Sequence, residues 1–299
     1  MKIYDCFMFF DEELILDIRL NILNEFVDYF VIVESKYDHK GNKRKLVFNI
    51  ENYKEFENKI IYIVHKDLPN NIKKVNKRDS KNTIGLKSFH NAAERENAQR
   101  NFISYGLEDA DNEDIILISD VDEIPNLDSV NFDKKKSKII VFEQKFFNYK
   151  FDLYVPNFTW FGTKAIKKKN LESPQWARNI KCKKYPKYRI DILFSKKKYN
   201  SIDFIKDGGW HFSNIKSPEE IEIKYKSFLH HYEFEQSLFN LNKIKNLMQN
   251  KRAIYDFTVD KKNENKIGNG KNLEKYDNSY LPKFLIKNKK KFKDWFDKN

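Results

Sequence analysis

One apolar run constrains the fold of this chain more than any other feature of its sequence. Ile115-Ile116-Leu117-Ile118 are consecutive apolar residues, mostly β-branched, which predicts a strand buried on both faces of a largely parallel sheet. The next residues are Ser119-Asp120-Val121-Asp122-Glu123-Ile124-Pro125. Strand side chains two apart face the same way, so Asp120 and Asp122 are predicted to point to one side. Pro125 is predicted to end the strand.

Two carboxylates at this point indicate a cation site. Open α/β sheets bind ligands outside the carboxyl ends of their strands. Paired carboxylates with room for water suit Mg²⁺ or Mn²⁺ holding the phosphates of a ligand. The alternative is a solvated acidic turn that only ends a strand.

The start of the chain has the pattern of a nucleotide-binding α/β unit. Ile3 to Phe10 predict a strand, and Asp11-Glu12-Glu13 open a predicted helix whose apolar face repeats at helical spacing. Phe30 to Glu34 and Ile60 to Val64 predict two further strands. Strand, helix and strand in this order favour a sheet that binds a nucleotide at its strand ends.

The composition limits the classes of protein to which this chain can belong. The 299 residues can bury one substantial core, and charged residues make up 34% of them, with a net charge of +13. This positive charge would suit binding to nucleic acid, an anionic membrane surface or phosphorylated substrates. The Lys residues are, however, spread widely along the chain, and this distribution favours a solvated Lys-rich face. Cys6 and Cys182 are too few for a disulfide framework, so a reducing compartment fits best. We find no signal peptide and no apolar segment of membrane-spanning length.

Five segments together resemble glycosyltransferase family 17, the β-1,4-mannosyl-glycoprotein β-1,4-N-acetylglucosaminyltransferases. The resemblance runs from Ile3 to about Phe292. Its segments are Tyr4-Asp-Cys-Phe-Met-Phe-Phe-Asp-Glu12, Val31-Ile-Val-Glu-Ser, Asp120-Val-Asp-Glu-Ile-Pro, Gly209-Trp-His-Phe-Ser and Pro282-Lys-Phe-Leu-Ile-Lys-Asn. Glu96-Asn-Ala-Gln-Arg-Asn101 also resembles the family's segment before its metal strand. Without an anchor or a stem, the chain resembles a bare catalytic domain of bacterial or viral type, which implies a cytoplasmic protein.

The resemblance implies a fold and a reaction. The expected fold is of the GT-A type, a mixed and mostly parallel sheet flanked by helices, with a helical C-terminal part. We expect a single catalytic domain over 1–299, with a nucleotide-binding half at about 1–125, an acceptor half at 126–250 and a basic extension at 251–299. The implied reaction is inverting transfer from a UDP-sugar, most simply UDP-N-acetylglucosamine, assisted by Mn²⁺ or Mg²⁺. The acceptor would be a glycan, a glycolipid or a glycoprotein, and the basic C-terminus is compatible with peripheral membrane contact.

Candidate site residues follow from the same segments. Asp120 and Asp122 are the predicted metal ligands, with His211 completing the coordination shell or contacting the diphosphate. Phe10 and Glu34 are nucleotide candidates, although Phe10 would also suit core packing and Glu34 a surface strand end. Arg100 is a candidate contact to the donor diphosphate, with Asp120 beside it, because guanidinium binds phosphate in a bidentate manner. A surface salt bridge is the alternative for Arg100, and a core histidine for His211.

The identity of the general base is less constrained by the sequence than that of any other candidate site residue. It must lie near the acceptor hydroxyl, across the donor from the metal, so neither metal carboxylate can act as the base. Asp207 is the first candidate because it precedes the Gly208-Gly209-Trp210-His211 turn. Glu172, Glu143 and Glu219 are rivals, and a simple loop carboxylate is the alternative for Asp207.

Two other functions stay open at this point. A nucleic-acid or anionic-surface binding module would use the Lys excess and would not depend on Asp120 or Asp122. A metal-dependent phosphoryl transferase or hydrolase would release phosphate without a sugar acceptor.

Overall fold

The computed structural model of the chain describes residues 1–128, 130–186, 188–192, 194–228, 231–236, 239–256 and 267–298. Its strands form one curled sheet with the order β3-β2-β1-β4-β7-β6-β9-β5, while β8 pairs with β6 and β10 with β7. The strands are β1 Ile3–Phe9, β2 Tyr29–Ser35, β3 Ile60–His65, β4 Ile115–Asp120, β5 Glu123–Pro125, β6 Ile139–Asn148, β7 Leu153–Lys167, β8 Ile202–Ile205, β9 Gly209–Ser213 and β10 Glu274–Lys275.

The first half of the sheet is parallel throughout. β1 lies between β2 and β4, and β3 lies outside β2, all running in the same direction. The predicted run Ile115–Ile118 is fully buried in β4, because helices cover one face of the sheet and the other face packs on a second apolar cluster. The predicted class, an α/β fold with a mixed, mostly parallel sheet flanked by helices, is confirmed.

The second half of the sheet mixes directions. β7 runs antiparallel to β4 and β6, whereas β8 and β9 run parallel to β6. The short β5 is antiparallel to β9, with Glu123 opposite His211 and Pro125 opposite Gly209. This pairing places the Gly-Trp-His segment beside the residues that follow β4.

One local prediction at the end of β4 was wrong. The strand ends at Asp120, and Val121 and Asp122 form a turn, so the two acids are not consecutive same-side residues of one strand. Pro125 does end a strand, but that strand is β5 rather than β4. It lies at an edge where no ladder hydrogen bond from its nitrogen is needed. Across this turn the chain passes from β4 to β5, which occupy different positions in the sheet.

Helices cover the sheet and make up much of the C-terminal part. They are α1 Glu13–Leu23, α2 Lys81–Asn101, α3 Pro174–Asn179, α4 Pro218–Ser227, α5 His231–Gln236, α6 Leu241–Gln249 and α7 Lys283–Lys287. Within the described residues, no helix is both long and apolar enough to cross a membrane. The division of the chain into halves and an extension stays a prediction.

The C-terminal residues belong to the main core. Leu285 and Phe292 are buried in the same apolar cluster as α1 and β1. Phe296 packs against Phe151 at a ring-centroid distance of 5.7 Å. A 3-10 helix, Lys293–Trp295, places the Trp295 ring partly exposed beside this cluster. The C-terminal residues of the described chain therefore cover one side of the main apolar core.

Candidate active site

A cleft opens at the carboxyl ends of β1, β2 and β4, where open α/β sheets place their ligands. We call it the strand-end cleft, and its volume is about 210 Å³. The described residues that line it include Phe10, Glu12, Ser35, Tyr37, Arg44, Glu96, Arg100, Asp120, Asp122 and Lys224. The sequence candidates Phe10, Arg100, Asp120 and Asp122 are thus brought together.

Asp120 is held by two arginines. One carboxylate oxygen lies 3.1 Å from Arg100 Nη2, and the other accepts a hydrogen bond of 2.9 Å from Arg178 Nη2. Burial alone would raise the pKa of Asp120, but the charges of Arg178 and Arg100 outweigh it and hold the pKa well below its ordinary range. Asp120 is therefore an anion whose two oxygens are already engaged.

Asp122 faces the cleft with weaker partners. Its Oδ1 lies 3.4 Å from His211 Nε2, and its Oδ2 lies 3.8 Å from Lys224 Nζ. Burial would raise the pKa of Asp122, but His211 and then Lys224 lower it further than burial raises it. The backbone is fixed more firmly, because the Phe212 amide donates to the Asp122 carbonyl at 2.8 Å.

The positions of Asp122 and His211 fit a divalent cation that is also bound by a phosphate. Their 3.4 Å separation is longer than an ordinary N–H···O hydrogen bond of about 2.9 Å. Adjacent ligands of an octahedral Mg²⁺, with bonds of about 2.1 Å, lie about 3 Å apart. In the described part of the chain, no group of three or more His, Cys, Asp and Glu side chains could hold a metal alone. A cation here would take its other ligands from phosphate and water, as Mg²⁺ commonly does.

The His211 ring is oriented by aromatic neighbours. Phe146 lies edge-on to it and Trp160 is tilted against it, each at a centroid distance of 4.7 Å. Its Nδ1 is buried without a hydrogen-bond partner among the described residues. The predicted histidine thus reaches the site through the pairing of β9 with β5.

Arg19 fixes the turn that carries both acids, and the sequence analysis missed it. Its guanidinium is fully buried on α1 and is paired with Asp5 in β1 at 2.6 Å. It also donates to the carbonyl oxygens of Asp120, Val121 and Glu123 at 2.9–3.1 Å. The available signal was Asp5 itself, because a carboxylate inside an apolar strand requires a buried partner.

A second arginine, Arg178, joins this turn to α3. Glu123 is fully buried, and Arg178 contacts its two oxygens at 2.7 Å and 3.0 Å. Trp160 Nε1 donates to the same carboxylate at 2.7 Å. Ser173 caps the start of α3, which carries Arg178. Only the fold shows that this guanidinium pairs with both Asp120 and Glu123.

Glu34 lies beneath the cleft rather than on its wall. Its buried oxygens accept from Arg44 Nη1 at 2.9 Å, the Val47 amide at 2.9 Å and Tyr62 Oη at 2.8 Å. Arg44 in turn lies over the Phe10 ring at 4.2 Å and donates to the Phe10 carbonyl. Glu34 therefore positions Arg44 and Phe10, and these two side chains face the cleft.

The four candidate bases lie elsewhere. Asp207 is 83% exposed in the turn before β9, with Lys145 Nζ at 3.6 Å. Glu172 accepts from Tyr199 Oη at 3.5 Å, and Glu219 pairs with Lys245 at 2.8 Å. Glu143 is a strand residue of β6, opposite Phe161. None of the four is among the described residues that line the strand-end cleft, so the expectation that Asp207 lies beside a phosphate site is not supported.

Comparison with family models gives one match, to the family described as Glycosyltransferase family 17, over residues 1–296. A search of curated proteins finds no match to the chain.

Proposed function

The chain belongs to glycosyltransferase family 17, and from that premise we propose a metal-assisted, inverting transfer of N-acetylglucosamine from UDP-N-acetylglucosamine to a glycan hydroxyl. The family match makes the chain a glycosyltransferase, and the family implies a nucleotide-sugar donor and a glycan acceptor. The particular nucleotide and sugar follow the family resemblance. The observation that carries the metal proposal is the placement of Asp122 and Lys224 in the lining of the strand-end cleft, with His211 Nε2 3.4 Å from Asp122 Oδ1.

We assign the nucleoside to the end of the cleft at Phe10, Ser35 and Arg44. This assignment is supported by the fixed pair of Phe10 and Arg44, in which the guanidinium carbon lies 4.2 Å from the centroid of the Phe10 ring. A flat, rigid surface of this kind suits stacking of a planar base. Glu34 supports the pair from below, which gives the candidate Glu34 a positioning role.

We assign the diphosphate to the other end of the cleft. Asp122 and His211 would hold Mn²⁺ or Mg²⁺, which when bound neutralises charge on a leaving diphosphate. Lys224 adds a positive charge at the same place, since its ammonium lies 3.8 Å from Asp122 Oδ2. Asp120 would become a direct ligand only if Arg100 or Arg178 released one of its oxygens. Its proposed role is therefore to fix Arg100 at the cleft wall.

The transfer is a single displacement in this proposal. The acceptor oxygen attacks C1 of the donor sugar from the face opposite the diphosphate, so the anomeric centre inverts. Charge moves onto the diphosphate as the bond to C1 breaks. Preorganised cations at that position stabilise the developing charge without reorganisation.

A donor screen tests the proposed function. UDP-, GDP- and CMP-sugars are incubated with the protein and Mn²⁺, and release of the nucleotide is measured with and without EDTA. We expect UDP release from UDP-N-acetylglucosamine that EDTA abolishes. Release of inorganic phosphate without a sugar acceptor would favour a phosphoryl transferase or hydrolase. Salt-dependent binding of DNA or RNA without nucleotide release would favour a binding module.

A further inference from the structure

A second cavity adjoins the strand-end cleft. Its volume is about 240 Å³, and the two cavities share Glu12, Asp122 and Lys224 as lining residues. A ligand in one cavity and a ligand in the other would therefore meet at these three side chains. In a transferase of two substrates, such a junction is where the reacting atoms come together.

The walls of the second cavity suit a sugar. Trp295 lines this cavity and is half-buried, and a flat aromatic face packs well against the C–H face of a hexose. Asn214, Asp11 and Lys216 also line it and supply polar groups. Lys216 is buried and pairs with Asp11 at 2.6 Å, so this polar wall is fixed before a ligand arrives.

Glu12 has an unusual position for a carboxylate. It occupies the N-cap of α1, where Ser, Thr, Asp or Asn is preferred, yet its side chain makes no capping hydrogen bond. Instead its Oε2 accepts from the backbone amides of Phe10 and Asp11, each at 3.2 Å. Local rules of this kind are most often broken at functional sites.

Three further acids, Asp11, Glu13 and Glu220, line the second cavity but not the strand-end cleft. Asp11 pairs with Lys216, and Glu220 closes the capping box of α4 with Ser217. Asp122, the other carboxylate among the described residues that line both cavities, belongs to the proposed metal site. Among the described residues, Glu12 is therefore the junction carboxylate outside the proposed metal site, and its hydrogen bonds to the amides of Phe10 and Asp11 are made by Oε2.

We propose that the second cavity binds the acceptor as a hexose unit stacked on Trp295, and that Glu12 is the general base. This inference rests on the proposed function. The Glu12 carboxylate takes the proton of the acceptor hydroxyl as its oxygen bonds to C1 of the donor sugar. The C1–O bond to the diphosphate breaks, and its electron pair leaves with UDP. Protonated Glu12 then returns the proton to water.

The test of Glu12 needs no acceptor, because water can replace the hydroxyl. UDP release from UDP-N-acetylglucosamine with Mn²⁺ and calorimetric binding of UDP are measured for wild type and Glu12→Gln. We expect turnover to fall by about 10²- to 10⁴-fold, with UDP affinity changed by less than about 3-fold. Glu25→Gln, the same charge change at the exposed far end of α1, is the matched control and should match wild type.

The outcomes separate the inference from the function on which it rests. If wild type neither binds UDP nor releases it from the donor, the proposed function fails. If wild type is active and Glu12→Gln keeps near-normal turnover, the base assignment is overturned. A loss of turnover in Asp207→Asn but not in Glu12→Gln would give the role to Asp207.

The test of Trp295 compares two replacements that keep apolar volume. Trp295→Tyr retains a flat ring, and Trp295→Leu does not. Transfer is measured to p-nitrophenyl glycosides of mannose, glucose, galactose and N-acetylglucosamine, with thermal unfolding as the check on folding. We expect Trp295→Leu to raise the acceptor KM by about 10-fold, a stacking contribution of ordinary size, while the donor KM stays unchanged.

Trp295→Tyr should keep the acceptor KM within about 3-fold of wild type if ring stacking is the contribution. An unchanged acceptor KM in a folded Trp295→Leu protein would overturn the assignment of the stacking face. So would a wild-type protein that hydrolyses the donor but transfers to none of the four glycosides.

Discussion

Asp120 and Asp122 are two residues apart, yet the partners of their oxygens differ. Each oxygen of Asp120 faces a guanidinium at 3.1 Å or less, whereas those of Asp122 have partners at 3.4 Å and 3.8 Å. Strong charge-assisted hydrogen bonds hold a side chain in place, while long contacts leave an oxygen available to a ligand. These contacts give Asp120 a structural role and leave Asp122 as the acid of the proposed metal site.

This division predicts different outcomes for the two Asn variants. Asp122→Asn should lower turnover by at least about 100-fold through loss of metal-dependent charge stabilisation, with little change in the melting temperature. Asp120→Asn should lower the melting temperature, because Arg100 and Arg178 lose the carboxylate with which both pair. Turnover with Mn²⁺ or with EDTA and thermal unfolding are measured for both. Equal turnover of wild type and Asp122→Asn, with or without EDTA, would contradict the metal assignment.

Arg19 is the residue on which the turn between β4 and β5 depends most. Arg19→Met should destabilise the fold by about 3–5 kcal/mol, since Asp5 remains buried without its partner. The double variant Arg19→Met with Asp5→Leu removes both charges and should recover part of the loss. Urea unfolding of wild type, single and double variants measures this. A single variant that loses less than about 1 kcal/mol would show that Asp5 finds another partner.

At the scale of elements, the sequence predicted the parallel strands, but it did not predict the turn between β4 and β5. Apolar runs such as Ile115–Ile118 indicate strands directly, because burial on both faces requires consecutive apolar residues. β5 exists because β9 pairs with it, and β9 comes from a distant part of the chain. Separation along the chain likewise hid the partnership of Glu123 with Arg178, which are 55 residues apart. Arg19 lies only 14 residues from Asp5 and was missed although the buried carboxylate of Asp5 indicated a partner. His211 was found only because its segment resembled the family.

Gly209 is the residue that lets β9 reach β5. Its φ is +133°, and a Cβ there would lie 2.2 Å from the Ile124 carbonyl oxygen. Gly209→Ala should therefore shift β9, displace His211, lower the melting temperature and raise the Mn²⁺ concentration needed for activity. Gly268→Ala is the matched control, because its φ is +87° but its Cβ would meet no atom closer than 3.5 Å. A normal Mn²⁺ requirement in Gly209→Ala would show that His211 does not depend on this pairing.

At the scale of the whole molecule, the cleft concentrates acids whose folded-state pKa values are low. The pKa is lowered for Asp120, Asp122 and Glu96, in each case because nearby cations outweigh the opposing effect of burial. A carboxyl with a lowered folded pKa stabilises the fold above its unfolded pKa of about 4. That contribution is lost as the pH falls below this value toward the folded pKa.

We therefore expect the contribution of these carboxylates to the urea midpoint to be steady from about pH 7 to pH 5 and to fall below about pH 4. Asp120→Asn should start from a lower midpoint and lose less of it over the same acid range, because one of the titrating carboxyls is gone. Urea titrations at several pH values measure both proteins. A wild-type midpoint that is unchanged at pH 3 would contradict the assignment of these carboxylates as stabilising anions.

The position of Trp295 affects when the protein can become active during synthesis. The ring that lines the second cavity lies in the 3-10 helix Lys293–Trp295, and its neighbours Phe292 and Phe296 complete the main core. The strands whose ends form the strand-end cleft, β1, β2 and β4, are translated long before them. A nascent chain on the ribosome would thus contain these strands of the proposed donor site while the proposed acceptor site still lacked one wall. Translation order would then delay transfer until the chain has emerged past residue 295.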